Sequence, residues 1–147
     1  MTKVSIIIPT LNEEESLIIL LNELTKFKEL IDEIIVVDAK SKDNTLEIAK
    51  NFNCKIIIQE KKIGYGDAII KGVNASKCNY SLVLDGDGSK NPLYIKDLLD
   101  KIIESNSDFV FAERYGKNAG SMDDTLLTYI GNRIFTNLGK FFFKIKM

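Results

Sequence analysis

The fold is decided by the segment Tyr80-Ser81-Leu82-Val83-Leu84-Asp85-Gly86-Asp87-Gly88-Ser89, in which an apolar run meets two carboxylates separated by one residue. The apolar run is typical of a strand, and a strand that ends in Asp-x-Asp can point both acids at one hard cation. Mg²⁺ and Mn²⁺ take oxygen ligands and are often held by one or two carboxylates together with substrate phosphates. The segment therefore predicts chemistry on a phosphate-bearing substrate through a divalent metal on Asp85 and Asp87.

Two other interpretations apply to the same residues. Asp and Gly tolerate the backbone angles of turns, so Asp-Gly-Asp-Gly is also a good turn sequence. An EF-hand calcium loop that started at Asp85 would need Gly at its sixth position and Glu at its twelfth, where the chain has Lys90 and Lys96. The spacing excludes the calcium loop, whereas the turn and the metal site both stay open on this segment alone.

Strands alternate with helices along the rest of the chain. Apolar runs predict five strands, at residues 4–8, 34–37, 55–58, 80–84 and 108–112. Helical patterns open at Asn12, as the N-cap, and at Asp43-Asn44, span residues 65–75, and resume after Pro92. This alternation predicts an α/β fold with a mostly parallel sheet and helices on both faces.

Polar residues gather at one end of the predicted strands. In parallel sheets, ligands bind in the crevice beyond the carboxyl ends of the strands, so these residues are expected to converge there. They are Thr10-Leu11-Asn12-Glu13, Asp38, Lys61-Lys62, Asp85 with Asp87, and Glu113-Arg114. Lys61 and Lys62 are expected to lie on the solvated surface, because most lysines do.

The composition argues against several classes of function. The chain has 147 residues, a net charge of −1 and no histidine. Its length suits one domain with its own core, and its charge gives no general electrostatic case for nucleic-acid binding. The lack of histidine excludes His-dependent triads, His general bases and His-rich zinc sites. Cys54 and Cys78 lack metal-site spacing and are predicted to be small buried or nearly buried residues in a reducing compartment.

The sequence also predicts where the protein is found. Its first residues run straight into a strand without a signal-peptide layout. No apolar run reaches the roughly 18 residues that a membrane-spanning helix needs. A cytoplasmic location is therefore expected.

Six motifs in order resemble those of family 2 glycosyltransferases, which have the GT-A fold. Within that family the resemblance is nearest to the polyprenyl-phosphate (dolichyl-phosphate) mannose or glucose synthases, and it covers almost the whole chain. The motifs are residues 4–14, residues 35–45, Gly64-Tyr65-Gly66-Asp67-Ala68, residues 84–89 with Pro92, Ala112-Glu113-Arg114-Tyr115, and residues 130–135.

This resemblance implies a hexosyltransferase that moves a sugar from a nucleotide-sugar donor of the GDP-mannose or UDP-glucose type to polyprenyl phosphate. Mg²⁺ or Mn²⁺ would be held by Asp85 and Asp87, the implied catalytic residues, and would stabilise the leaving diphosphate. The residues implied to contact the donor are Pro9, Thr10, Leu11, Asn12, Glu13, Asp38, Gly64, Gly66 and Arg114.

The chain departs from the family pattern in three places. Ala39 stands where a second acid often follows Asp38, and Ala112-Glu113 replaces the usual Gly-Ser before the arginine. The synthases also continue beyond the Gly-Asn-Arg helix into a segment that shapes the acceptor side. The expectation is therefore one nucleotide-sugar-binding domain over 1–147 that is truncated, naturally short, or half of a split protein.

Residues 125–147 predict an amphipathic helix. Its apolar positions recur every three or four residues with basic residues interspersed. Packing against a core would explain the apolar stripe. The alternative is an interfacial helix at the cytoplasmic membrane face, with Phe141–Phe143 inserted and the lysines at the headgroups.

Two further functions compete with the transferase. A non-catalytic module would bind the nucleotide sugar and the metal but transfer nothing. The other is a sugar-phosphate nucleotidyltransferase, which usually carries a Gly-rich, Arg-containing loop after the first strand. The corresponding loop here, Thr10-Leu11-Asn12-Glu13, contains neither Gly nor Arg, which argues against this function.

Overall fold

The computed structural model describes residues 2–60 and 64–112, together with Asn137. The chain divides into two compact units, Met1–Val110 and Phe111–Met147. The strands and helices below all belong to the first unit. They are β1 (Val4–Thr10), α1 (Glu14–Leu24), β2 (Ile31–Asp38), α2 (Thr45–Asn51), β3 (Lys55–Ile58), α3 (Tyr65–Ala75), β4 (Tyr80–Val83) and α4 (Ile95–Ser105), with 3-10 turns at Thr25–Phe27 and Pro92–Tyr94.

A parallel sheet of four strands, in the order β3-β2-β1-β4, forms the centre of the first unit. The strand β1 is mostly apolar and is buried along almost its whole length, because both of its faces are covered. On one face, Ile6 and Ile8 join a core that includes Leu17 and Leu21 of α1. On the other face, Ile7 packs in a core with Ala68 of α3. The predicted α/β fold with helices on both faces is confirmed.

The helix α3 lies very close to β1. Gly72 is buried, and a Cβ atom built there would come within 2.3 Å of the Ile7 Cγ2 atom. A residue with a side chain therefore does not fit at this position without displacing Ile7. Glycine at 72 allows the close approach of helix and sheet.

Two predictions about elements are wrong. Residues 108–112 do not form a strand, and Phe109 and Phe111 are 77% and 85% exposed. A short apolar run does not distinguish a buried strand from other apolar segments. Asn12 is not the N-cap of α1, a position that Glu13 takes. The φ angle of Asn12 is 58°, in the left-handed region, and its side chain contacts the neighbouring loop instead.

The predicted helix over 125–147 falls outside the described residues, except for Asn137, which is helical and exposed. Among the helices that the structure describes, none combines the length and apolar character needed to cross a bilayer.

Candidate functional site

The carboxyl ends of β1 and β2 meet where the sequence predicted a ligand crevice. Thr10 and Asp38, the last residues of the two strands, are paired in register. The Ala39 amide donates to the Thr10 carbonyl at 2.9 Å, and the Gln59 amide donates to the Asp38 carbonyl at 2.8 Å. The ends of β1, β2 and β3 are therefore joined by backbone hydrogen bonds beyond the strands themselves.

The Asp38 carboxylate is fully buried and hydrogen-bonded. It accepts from the Thr10 hydroxyl at 3.0 Å, from the Ser41 amide at 2.8 Å and from the Ser41 hydroxyl. A buried charge needs such donors because it has lost its water. In this geometry, Asp38 fixes the loop after β2 against the end of β1.

The loops after β1 and β2 are also joined by side chains. The Asn12 amide donates to the Ser41 hydroxyl oxygen at 2.8 Å, and the Lys42 amide donates to the Asn12 side-chain oxygen at 2.8 Å. The Glu13 amide donates to the Thr45 hydroxyl oxygen at 2.9 Å. These contacts give the loop of residues 10–13 a defined conformation. Leu11 is 44% exposed on that loop.

The Asp85–Ser89 segment forms a turn that also presents its carboxylates, so the turn and metal interpretations are compatible. The Gly88 amide donates to the Asp85 carbonyl at 3.3 Å, and the Ser89 amide donates to Asp87 Oδ1 at 2.9 Å. Asp87 is exposed, and the Asp85 side chain is 26% exposed. The ammonium of Lys90 lies 3.7 Å from Asp85 Oδ2.

Gly86 sets this turn directly against the end of β1. A Cβ atom built on Gly86 would lie 2.9 Å from the Pro9 carbonyl oxygen, 3.0 Å from Thr10 Cγ2 and 3.5 Å from Glu13 Cγ. The structure therefore brings the Asp-x-Asp motif together with Pro9, Thr10 and Glu13, as the sequence predicted for one crevice.

The start of α3 reaches the same turn through Tyr65. The Tyr65 hydroxyl donates to Asp85 Oδ1. Gly64 has a φ angle of 99°, and a Cβ on Gly64 or Gly66 would meet nothing within 4 Å. Both glycines are exposed, so the backbone at the helix start is open to a ligand.

Partial burial, the hydrogen bond to Asp85 and the charges of Asp85 and Asp87 raise the pKa of Tyr65 from 10.0 to about 12. Each of these causes favours the neutral phenol over the phenolate. Tyr65 therefore keeps its proton at neutral pH and acts as a hydrogen-bond donor to Asp85.

Sequence reasoning missed Tyr65, Ser41 and Gln59 as residues of the site. Gln59 is 2% exposed, and its side-chain amide donates to the Gly64 carbonyl at 3.2 Å and to Asp67 Oδ2 at 2.6 Å. Hydrogen bonds from Lys71 and Gln59 lower the pKa of Asp67. Gln59 directly follows β3, so the rule that found Asp38, a polar residue at a strand end, would also have found it.

The carboxylates of Asp85 and Asp87 fit a hard divalent cation. Within the described residues, no group of three or more Asp, Glu, Cys or His side chains is placed to hold a metal ion. Two carboxylates match the way Mg²⁺ is held when substrate phosphates and water complete its coordination. Arg114, Lys61 and Lys62 lie outside the described residues, so their predicted places are not tested.

Solved structures share this fold at low sequence identity. Mannosyl-3-phosphoglycerate synthase from Rubrobacter xylanophilus matches with a TM-score of 0.74 and 24% identity, over 93% of this chain and 47% of that one. Glucosyl-3-phosphoglycerate synthase from Mycobacterium tuberculosis, in complex with Mn²⁺, uridine diphosphate and glucosyl-3-phosphoglycerate, matches with a TM-score of 0.59 and 22% identity, over 69% of this chain and 39% of that one. These likenesses show the GT-A fold.

Curated proteins match at higher identity. The chain is 37% identical over 122 residues to uncharacterized protein MJ0544 of Methanocaldococcus jannaschii, a match that covers 76% of this chain and 52% of that protein. It is 33% identical over 120 residues to dolichol-phosphate mannosyltransferase of Pyrococcus furiosus, a match that covers 78% of this chain and 34% of that protein. It is 32% identical over 118 residues to chondroitin synthase of Escherichia coli, a match that covers 76% of this chain and 17% of that protein. The chain therefore spans about half or less of each relative's length.

The sequence model of the family described as glycosyl transferase family 2 matches residues 5–146. The match includes β1 from Ser5 onward, the loop that follows it and the Asp-x-Asp turn, which are the parts that meet at the carboxyl end of the sheet. The resemblance inferred from six motifs is confirmed, and the chain belongs to glycosyl transferase family 2.

Proposed function

We propose that the protein binds a nucleotide-sugar donor together with Mg²⁺ or Mn²⁺ and transfers the sugar to an acceptor, with polyprenyl phosphate as the expected acceptor. The observation that carries the proposal is the close contact of Gly86 with Pro9 and Thr10. That contact sets a two-carboxylate turn beside an ordered loop at the carboxyl end of the sheet. Such a crevice is where α/β folds bind nucleotides.

The donor would lie along the ordered loops. Residues 9–13 line the nucleoside side, and Asp38 supports the base or ribose by holding the loop after β2. Gly64 and Gly66 leave open backbone at the start of α3 for close approach of the donor. Arg114 is proposed for the phosphates, because a guanidinium matches their geometry.

Asp85 and Asp87 would hold the cation. When bound, the cation supplies Lewis-acid stabilisation of the negative charge on the leaving diphosphate. Lys90 now lies near Asp85, so its ammonium must give way when a cation approaches that carboxylate. Asp87 is the more exposed of the two acids and is proposed as the main ligand.

A phosphate acceptor suits the residues of this chain. A phosphate oxygen is already a nucleophile at neutral pH, so the reaction needs no strong general base. That requirement agrees with a sequence that contains no histidine. The relative named dolichol-phosphate mannosyltransferase supports a lipid phosphate, whereas the relative named chondroitin synthase makes a sugar acceptor the comparison to test.

A non-catalytic donor-binding module is the second candidate. It needs only a donor site, and the parts proposed for the donor, the ordered loop of residues 10–13 and the Asp85–Ser89 turn, lie within the described residues. Such a module would bind the nucleotide sugar and the cation but would move no sugar to polyprenyl phosphate or to a sugar acceptor. The two candidates therefore share a donor site and differ in transfer.

The donor site is tested by thermal unfolding with GDP, UDP, GDP-mannose and UDP-glucose, each with and without Mn²⁺. A ligand that binds only the folded state stabilises it by about 2.7 kcal/mol when present at about 100 times its dissociation constant. We expect a rise in Tm with one type of nucleotide, and only when Mn²⁺ is present. Asp87→Ala should abolish this metal-dependent rise.

Asp32→Ala is the matched control, because it removes the same charge from an exposed position near the opposite end of β2. It should keep the full rise in Tm. A metal-dependent rise that survives in Asp87→Ala would contradict the proposed metal site. No rise with any nucleotide in the unaltered protein would contradict donor binding itself.

Transfer is then measured with labelled donor, in one arm with polyprenyl phosphate and in another with a sugar oligosaccharide. Label in the lipid supports the proposed acceptor. Label in the oligosaccharide alone contradicts polyprenyl phosphate as the acceptor and indicates that the acceptor is a sugar. Donor binding without label in either arm supports the non-catalytic module.

A further inference from the structure

A tyrosine hydroxyl is hydrogen-bonded to one carboxylate oxygen of the Asp-x-Asp motif. The Tyr65 hydroxyl donates to Asp85 Oδ1, although the two residues lie twenty positions apart on α3 and on the turn after β4. The other oxygen, Oδ2, is the one that faces Lys90 at 3.7 Å. The two oxygens of one carboxylate thus have different neighbours, one a neutral donor and the other a cation.

The backbone around Tyr65 is held by hydrogen bonds from Gln59, the residue that follows β3. The Gln59 side chain donates to the carbonyl of Gly64 and to the carboxylate of Asp67, which flank Tyr65 in sequence. Gln59 is itself buried and tied to the Asp38 carbonyl. Further along α3, the contact of Gly72 with Ile7 sets the distance between the helix and the sheet. The phenol therefore reaches Asp85 from a helix start that is hydrogen-bonded to Gln59, the residue that follows β3.

The two partners of Asp85 respond differently to an approaching cation. A carboxylate can accept a hydrogen bond on one oxygen and bind a metal through the other, so the Tyr65 hydroxyl is compatible with a metal. The Lys90 ammonium competes with a metal, since both are positive, and its side chain is 51% exposed and can move into water. Oδ2 is therefore the oxygen that becomes available.

We propose that Tyr65 is a positioning residue for the metal motif: its hydroxyl holds Asp85 Oδ1 and so presents Oδ2 to the cation. The proposal rests on the proposed function, because it assumes that Asp85 and Asp87 hold the metal. It adds a residue of α3 to a site otherwise built from the turn after β4. Hydrogen-bond partners that orient metal ligands typically contribute about 10- to 100-fold to metal affinity.

The test is Mn²⁺ binding, measured from the electron paramagnetic resonance signal of free Mn²⁺ with saturating UDP or GDP. Tyr65→Phe removes one oxygen from a side chain that is 55% exposed, and Tyr94→Phe is the control, with a side chain that is 57% exposed in the turn Pro92–Tyr94. We expect Tyr65→Phe to raise the Mn²⁺ dissociation constant about tenfold and Tyr94→Phe to leave it unchanged. Circular dichroism establishes that both variants are folded.

A double-mutant cycle separates positioning from a general structural effect. Because Tyr65 is proposed to act through Asp85, Tyr65→Phe should weaken Mn²⁺ binding no further in an Asp85→Asn background. A loss of less than about threefold in the single variant, or an equal loss in the Asp85→Asn background, overturns the proposal.

The outcomes also distinguish this proposal from the proposed function. If the unaltered protein binds Mn²⁺ with neither nucleotide, or if Asp87→Ala binds it as well as the unaltered protein does, both proposals are overturned. If Asp87→Ala loses Mn²⁺ while Tyr65→Phe binds it normally, only the role of Tyr65 is overturned.

Discussion

The carboxylate of Asp38 is a charge in the interior of the fold, and three hydrogen-bond donors from Thr10 and Ser41 keep it there. The strand that ends at Asp38 made this position predictable as part of the crevice. Its hydrogen-bond partners were not predictable, because Thr10 lies 28 positions away and Ser41 had no distinguishing signal in the sequence. The same limit explains why Tyr65 and Gln59 were missed, since their contacts are tertiary.

Replacing Asp38 should destabilise the protein. Asp38→Ala leaves the buried Thr10 hydroxyl and the partly buried donors of Ser41 without their acceptor, and we expect the free energy of unfolding to fall by about 2–4 kcal/mol. Urea unfolding followed by circular dichroism measures the change. Asp32→Ala, at an exposed position of the same strand, should change it by less than about 0.5 kcal/mol. Equal stability of the two variants would show that the buried carboxylate does not hold the loops.

At the scale of elements, the alternation of apolar runs predicted all four strands of the described sheet and the helices between them. Periodicity is reliable there because each strand is covered by helices and each helix has an apolar face. It failed at residues 108–112, where the apolar pattern is present but no strand forms. It also misplaced the start of α1, because Asn12 uses its side chain on the adjoining loop, a contact that local sequence does not encode.

The contact between α3 and β1 predicts opposite effects for two glycines of one helix. Gly72→Ala places a Cβ within 2.3 Å of Ile7 Cγ2, so we expect a loss of about 1–3 kcal/mol or more in the free energy of unfolding. Gly66→Ala meets nothing within 4 Å, and alanine is the better helix former, so stability should stay the same or rise by up to about 1 kcal/mol. Urea unfolding of both variants checks the signs. A neutral Gly72→Ala would mean that Ile7 yields easily.

For the whole molecule, the sequence predicted the α/β class and the family, because order and spacing of six motifs carry more information than any one of them. The relatives extend well beyond the matched residues, which cover 52%, 34% and 17% of their lengths. The described residues form the ends of β1, β2 and β4, which is the part of the fold proposed to bind the donor and the cation.

A lipid acceptor would require the protein to meet a membrane surface, and residues 125–147 are proposed for that contact. Their basic residues would attract anionic headgroups while the phenylalanines insert. We expect the protein to co-sediment with liposomes that contain anionic lipid, and less so at high salt. Replacing Phe141–Phe143 with serine should remove this binding. Failure to co-sediment with or without anionic lipid would exclude the interfacial helix.

The contact of Gly86 with the Pro9 carbonyl has a consequence for donor choice. It is a steric contact, so it fixes the spacing from the loop of residues 10–13, which is proposed to line the nucleoside, to the carboxylates without any dependence on pH or ionic strength. The Lys90–Asp85 pair, by contrast, weakens as salt rises. Under the proposed function, ionic conditions should therefore change how strongly the cation is held, but not the length of phosphate chain that fits between the nucleoside and the cation.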